Sequence, residues 1–174
     1  MLRWNCCTSS SDIVIIGKRG AQADFAKDHP GSKVERIVRQ SSKPVLVATR
    51  AFKAPQRIAV AFEGGKSSRK ALEYVSACPL FAALDIDIVL AGPYTKKYAA
   101  HIDWAQAPFT GRAGVKAIHR EGNPDLVLQH VAKERAIDLF VIGAYGHSPL
   151  RNMLVGSMTT QMIRSGQMSV LLFR

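Results

Sequence analysis

Short apolar runs alternate along this chain with longer stretches whose apolar positions recur at helical spacing. Ile13 to Ile16, Arg57 to Phe62, Ile86 to Leu90, Val115 to His119, Leu139 to Ile142 and Val170 to Phe173 are strand-sized. Most lack the in-out alternation of a half-exposed strand, so they read as buried strands. Lys66 to Ala77 places Ala71, Leu72, Tyr74 and Val75 at helical spacing, with Ser67 or Ser68 available as N-cap. Asn123-Pro124-Asp125 is a helix start, with Asn at the N-cap, Pro at the first helical position and an acid in the first turn. Leu126, Val127, His130 and Val131 continue that helix. Residues 93–112 are hard to read: their Ala and Lys content permits a helix, and Pro108, Gly111 and Gly114 break its end. Strands alternating with helices predict an α/β fold with a parallel sheet.

The pattern contains a repeat. Asp12-Ile-Val-Ile-Ile-Gly17-Lys-Arg-Gly20 matches Asp138-Leu-Phe-Val-Ile-Gly143-Ala-Tyr-Gly146 at an offset of 126 residues. Gly31-Ser32 matches Gly156-Ser157, and Pro44-Val-Leu-Val47 matches Ser169-Val-Leu-Leu172, at an offset of 125. Each copy reads strand, glycine loop, helix, strand, and the first loop is one residue longer. Such self-similarity is a duplication signal. Only the second copy is preceded by further strands and helices. The expected organisation is therefore an unassigned segment at 1–10, a partial copy at 11–50 with the last two strands and a helix, a Pro55-containing linker at 51–56, and a complete doubly wound unit of five parallel strands at 57–174.

The 174 residues are 47% hydrophobic and 21% charged, values of an ordinary globular domain that exclude wholesale disorder. No apolar run approaches the ~18 residues of a membrane span, and Met1 to Ser10 lacks the apolar core of a secretory signal. The net charge of +11 favours anionic partners. Without a run of five like charges, and with aromatics at 7%, it reads as solvated surface charge and argues against a nucleic-acid partner. Cys6, Cys7 and Cys78 form no Cys-x-x-Cys pair. The pattern predicts neither a disulfide framework nor a zinc site, a core role for Cys78, and a cytoplasmic location.

Candidate chemistry concentrates in Gly143-x-x-Gly146-x9-Gly156-Ser157, which leaves a strand and opens a helix. Gly143 lets the strand end turn, Gly146 lets backbone amides approach an anion, and Gly156 and Ser157 offer free amides and a hydroxyl at a helix start. Open α/β sheets bind ligands at this edge. Gly65-Lys66-Ser67 looks like a phosphate-binding Walker loop, but that loop needs a glycine where Val60 stands. Lys66 still follows the first strand of the complete unit. The five histidines have no carboxylate or cysteine at metal-ligand spacing. His147 lies inside the glycine loop and is a candidate phosphate or ribose contact. No G-x-S-x-G elbow surrounds Ser157, so it is an anion ligand rather than a nucleophile. No catalytic residue and no metal site are expected.

The loop from Gly143 through Ser157 resembles the G-2x-G-9x-G-[S/T] motif of the universal stress protein family. The opening Ile58-Ala-Val-Ala-Phe-Glu-Gly-Gly-Lys-Ser-Ser-Arg-Lys-Ala-Leu-Glu73 and the ending Ile163-Arg-Ser-Gly-Gln-Met-Ser-Val-Leu-Leu-Phe-Arg174 look like that family too. The resemblance covers nearly all of residues 11–174 and is similar to tandem members with a truncated first domain. It implies a Rossmann-like fold that binds ATP, with or without Mg2+. It implies phosphates at Gly143, Gly146, Gly156 and Ser157, with Met158 and Thr159 at the same helix start, and an adenine pocket lined by Ala61 and Ala91. It implies a nucleoside contact at Glu63, where the family commonly has Asp. Ser169 stands where the family usually has Pro, and the first copy keeps that residue as Pro44.

The resulting expectation is an adenine-nucleotide-binding universal stress protein with a regulatory role, slow hydrolysis at most, and homo-oligomerisation through terminal strands. The alternative is a nucleotide-free dimerising scaffold of the same family.

Overall fold

The structure, a computed structural model, describes residues 13–17, 36–49, 52–143 and 168–174. Its strands are β1 (Val14–Gly17), β2 (Val45–Ala48), β3 (Arg57–Ala61), β4 (Asp85–Ala91), β5 (Val115–Arg120), β6 (Leu139–Gly143) and β7 (Ser169–Phe173). Its helices are α1 (Lys66–Ala77), α2 (Lys96–Gln106) and α3 (Pro124–Glu134), with a helical stretch over 36–40 before β2.

The seven strands form one sheet in the order β1-β2-β7-β6-β3-β4-β5. The five strands from β7 to β5 are parallel, as the apolar patterning predicts. β1 and β2 form a second parallel pair, and β2 joins β7 antiparallel. Successive side chains of a strand point to opposite faces, and each face has its own core. On one face α1 lays Ala71, Leu72 and Val75 over Ile58, Val60, Val141, Leu171 and Phe173. On the other, α3 lays Val127, Leu128 and Val131 over Ala59, Ala61, Phe140 and Ile142.

The repeat reappears as register. In the first pair Val14 lies opposite Val45; in the second, Phe140 lies opposite Val170. These are matching positions of the repeat once the extra loop residue is counted. Across the antiparallel seam Val45 faces Leu172, Leu46 faces Leu171 and Val47 faces Val170.

Local chemistry explains most boundaries. Asn123 caps α3 by accepting from Asp125 N at 2.9 Å, and Pro124 occupies the first turn, where it sacrifices no helical hydrogen bond. α1 begins differently from the expectation: Gly65 is its N-cap, without a side-chain cap bond. Ser67 and Ser68 lie inside the first turn and are buried, because that turn is pressed against the end of β6. The unreadable stretch 93–112 holds α2, capped by Thr95, whose Oγ1 accepts from Tyr98 N at 3.3 Å.

Two features depart from the pattern. Asp87 sits mid-strand in β4 at 1% exposure and accepts a two-pronged ion pair from Arg135, Nε to Oδ2 at 3.0 Å and Nη2 to Oδ1 at 3.2 Å. That pairing is what permits a carboxylate in the core. Cys78 is a core residue, as expected, but it is also disulfide-bonded, with its partner outside the described residues. Local cysteine spacing carries no sign of so distant a bridge. Among the described residues no helix is long and apolar enough to cross a membrane.

Candidate functional site

β4 and β5 are laid down outward on one side of β3, and β6 then pairs with its other side. Strand order therefore reverses between β3 and β6, and the crevice beyond the carboxyl ends at such a reversal is where open α/β sheets bind ligands. Ala61 ends β3 and Glu63 follows it, Ala91 ends β4, and Gly143 ends β6.

A cavity of about 40 Å³ opens here, lined by Ala61, Phe62, Glu63, Val89, Ala91, Tyr98, Pro124 and Leu128. Three expected site residues, Ala61, Glu63 and Ala91, thus share one cavity. Both Glu63 carboxylate oxygens are shielded from solvent, and the side chain folds back so far that a Cβ on Gly65 would lie 2.7 Å from Oε1. The carboxylate consequently lies beside the start of α1, where free amides and the helix dipole favour negative charge.

Gly143 lies beside that same helix start. A Cβ on it would fall 2.4 Å from Ser68 N and 2.7 Å from Ser67 C. Close approach of β6 to the α1 backbone therefore demands this glycine. The Ser67 hydroxyl is buried there, with no hydrogen-bond partner among the described residues. The other expected contacts, Gly146, His147, Gly156, Ser157, Met158 and Thr159, lie outside the described residues.

Aromatic and basic side chains brace the turn that carries Glu63. Gly64 has φ +78°, the left-handed region, and the His101 ring fills the space a Cβ would need. Arg69 Nε donates to Gly64 O at 2.9 Å and stacks its guanidinium 4.4 Å from the Trp104 ring. Trp104 in turn stacks on Phe62 at 5.5 Å. Burial, reinforced by Lys97 and Arg69, holds the His101 pKa below the usual imidazole value.

Tyr98, which the sequence does not single out, closes the cavity. Its hydroxyl donates to Ala91 O at 2.5 Å. Burial, with the Glu63 charge as a second cause, raises its pKa. His119 Nε2 is hydrogen-bonded to Gly92 O at 2.7 Å, and its ring meets Tyr98 edge-on at 5.7 Å. Val89 and Leu128 were equally unselected; they are core residues by pattern, and only the fold brings them to the cavity. Among the described residues no cluster of three His, Cys, Asp or Glu side chains could hold a metal ion.

This is an open, doubly wound α/β protein with a cavity at its topological switch point. Residues 93–174 match the profile of the universal stress protein family. The chain is 34% identical over 167 residues to universal stress protein Slr1230 of Synechocystis sp. (strain ATCC 27184 / PCC 6803 / Kazusa), covering 94% of this chain and 58% of that protein. A universal stress protein from Archaeoglobus fulgidus DSM 4304 superposes with a TM-score of 0.67 at 18% identity, over 92% of this chain and 59% of that one. A universal stress protein in complex with cAMP superposes at 0.55 with 24% identity, over 70% of this chain and 98% of that one. The chain thus has the Rossmann-like α/β fold of universal stress proteins. It spans just under three fifths of the length of the Synechocystis and Archaeoglobus relatives.

Proposed function

We propose that this chain is a universal stress protein that binds an adenine nucleotide, ATP, at the carboxyl edge of β3, β4 and β6, and acts as a regulator rather than as a catalyst. The observation that carries this reading is convergence. Glu63, the Ala91 carbonyl, the close-packed Gly143 and the buried Ser67 hydroxyl meet where the strand order reverses. Their chemistry suits a nucleotide: acceptors on the side of β4 for a base or sugar, and a helix start beside Gly143 for anionic oxygens. The glycine spacing after Gly143 supports the phosphate end, and a relative of the same fold is in complex with cAMP, itself an adenine nucleotide.

Calorimetry of the full chain with ATP and GTP tests this. ATP should bind in preference, and Gly156→Val should abolish binding with little change in the circular dichroism spectrum. Equal ATP affinity in that variant would sink the phosphate assignment. Turnover should be negligible; phosphate release on the order of 1 s⁻¹, a low but ordinary enzyme rate, would reveal a missed catalytic group.

We also read residues 11–50 as the end of a first copy of the fold. The matched registers of β1/β2 and β6/β7 support it. β1 is then a sheet edge with Ile15 48% exposed, and self-association through this edge belongs to the proposal. The small cavity favours the second reading, a nucleotide-free scaffold that works by dimerising, and the same calorimetry separates the two.

A further inference from the structure

A cavity of about 40 Å³ has room for a few waters, against ~300–1,000 Å³ in pockets that hold small organic ligands. The reason for the difference is visible at Tyr98. Its ring stands over the end of β4 in the first turn of α2, and its hydroxyl lies on Ala91 O at 2.5 Å. The backbone has been shaped around that hydroxyl: Gly92 has φ +132°, and a Cβ there would sit 2.5 Å from Tyr98 Oη. The rings of His101 and His119 flank the tyrosine at 6.2 and 5.7 Å. Among the described side chains lining the cavity, Tyr98 alone carries a hydroxyl donor, and it is engaged with a backbone acceptor at the cavity wall.

We propose that Tyr98 is a built-in plug of the base pocket, its hydroxyl occupying on Ala91 O the donor position that the amino group of adenine takes when ligand enters. The proposal rests on the adenine-nucleotide reading of this cavity. Its logic is competition for one place. Ala91 O has two lone pairs, but the Tyr98 phenol stands on its cavity side where a base would lie, and space for a planar base appears only when the phenol swings away. A base with a keto group at the same position would set one carbonyl against another, so the acceptor selects amino over keto bases. Tyr98 lowers affinity for every occupant, and the exposed carbonyl decides which occupant is worth admitting.

The test uses the full chain and two nucleotides that differ at that one group, ATP and ITP, in calorimetric titrations of the wild type, Tyr98→Phe and Tyr98→Ala. Phenylalanine keeps the ring and frees the carbonyl. ATP and ITP should both bind Tyr98→Phe about three- to tenfold more tightly than wild type, the size of one net hydrogen bond, and ATP should bind more tightly than ITP in all three proteins. If wild type binds ATP and Tyr98→Phe binds it equally or more weakly, the plug is wrong and the nucleotide site stands. ITP binding as tightly as ATP in all three proteins also overturns it, because the hydroxyl would then block volume without standing in for a donor. If none of the three proteins binds either nucleotide, including the opened Tyr98→Ala, the nucleotide reading itself falls and the plug with it. Matching melting curves confirm that each variant is folded.

Discussion

Leu46 and Leu171 face each other across the antiparallel seam between β2 and β7, and they are the same position of the internal repeat. Their neighbours, Val45 with Leu172 and Val47 with Val170, exchange places when the two copies are swapped. A local two-fold axis therefore passes between the two leucines. The two are not buried equally. Both line an apolar groove of about 240 Å³ with Ile15, Phe52 and Leu80, but Leu171 is 2% exposed and Leu46 8%. Leu171→Ala should cost about 2–5 kcal/mol. Leu46→Ala should cost less, because Leu46 is the less completely buried of the two. Urea denaturation of both variants checks the order; equal costs would show that the two are equally buried.

Edge strands with exposed apolar side chains invite pairing with another chain. Ile15→Lys places a charge on the outer face of β1 without touching the cavity at β3 and β4. The expected outcome is a shift of the full chain toward monomer in light scattering, with ATP affinity unchanged. A wild type that is already monodisperse and monomeric would remove β1 from the proposed assembly.

Asp87 and Arg135 tie the middle of β4 to the end of α3. Asp87→Ala leaves the guanidinium without its partner. Arg135 is 27% exposed and can turn to water, so the cost should be about 2–3 kcal/mol, below the ~3–5 of a wholly buried pair. Chemical denaturation measures it. A cost under about 0.5 kcal/mol, the range of an exposed pair, would contradict the burial of Asp87.

The lowered pKa of His101 makes stability depend on pH in one direction. The unfolded imidazole titrates near 6.5, and the folded one holds its proton less tightly. Stability from this group is present above about pH 6.5 and is lost as pH falls below it. The lowered pKa of Asp85, next to Arg57, adds a separate loss below about pH 4. Melting temperatures between pH 7.5 and 5 should fall for the wild type and stay flatter for His101→Leu. Identical slopes would mean that the ring is solvated.

Helix α1 and the Asn123 cap of α3 were legible in the sequence because both are written in neighbouring residues: an apolar face at period 3.6, and the Asn-Pro-Asp start. The strands were legible because parallel strands buried on two faces read as continuous apolar runs. α2 was not, since its start depends on Thr95 reaching Tyr98 N, and the following Pro108 and glycines disguise its end. Asp87 was invisible for the opposite reason: its partner is 48 residues away, and a lone acid in an apolar strand looks like an exposed position. At the candidate site Ala61, Glu63 and Ala91 could be placed because they sit at strand ends. Tyr98 could not, because its contact with Ala91 O arises only once α2 folds back over β4.

Gly17 and Gly143 close equivalent strands, yet selection acts on them through different forces. Gly143 is wedged against the backbone of Ser67 and Ser68, so even a methyl group would pry β6 from α1 and disturb both walls of the site together. Gly17 ends an edge strand and is exposed. The first can hardly drift without dismantling the crevice, while the second lies exposed at the end of an edge strand. Descendants of this chain should therefore lose the likeness between the two copies from the Gly17 side first.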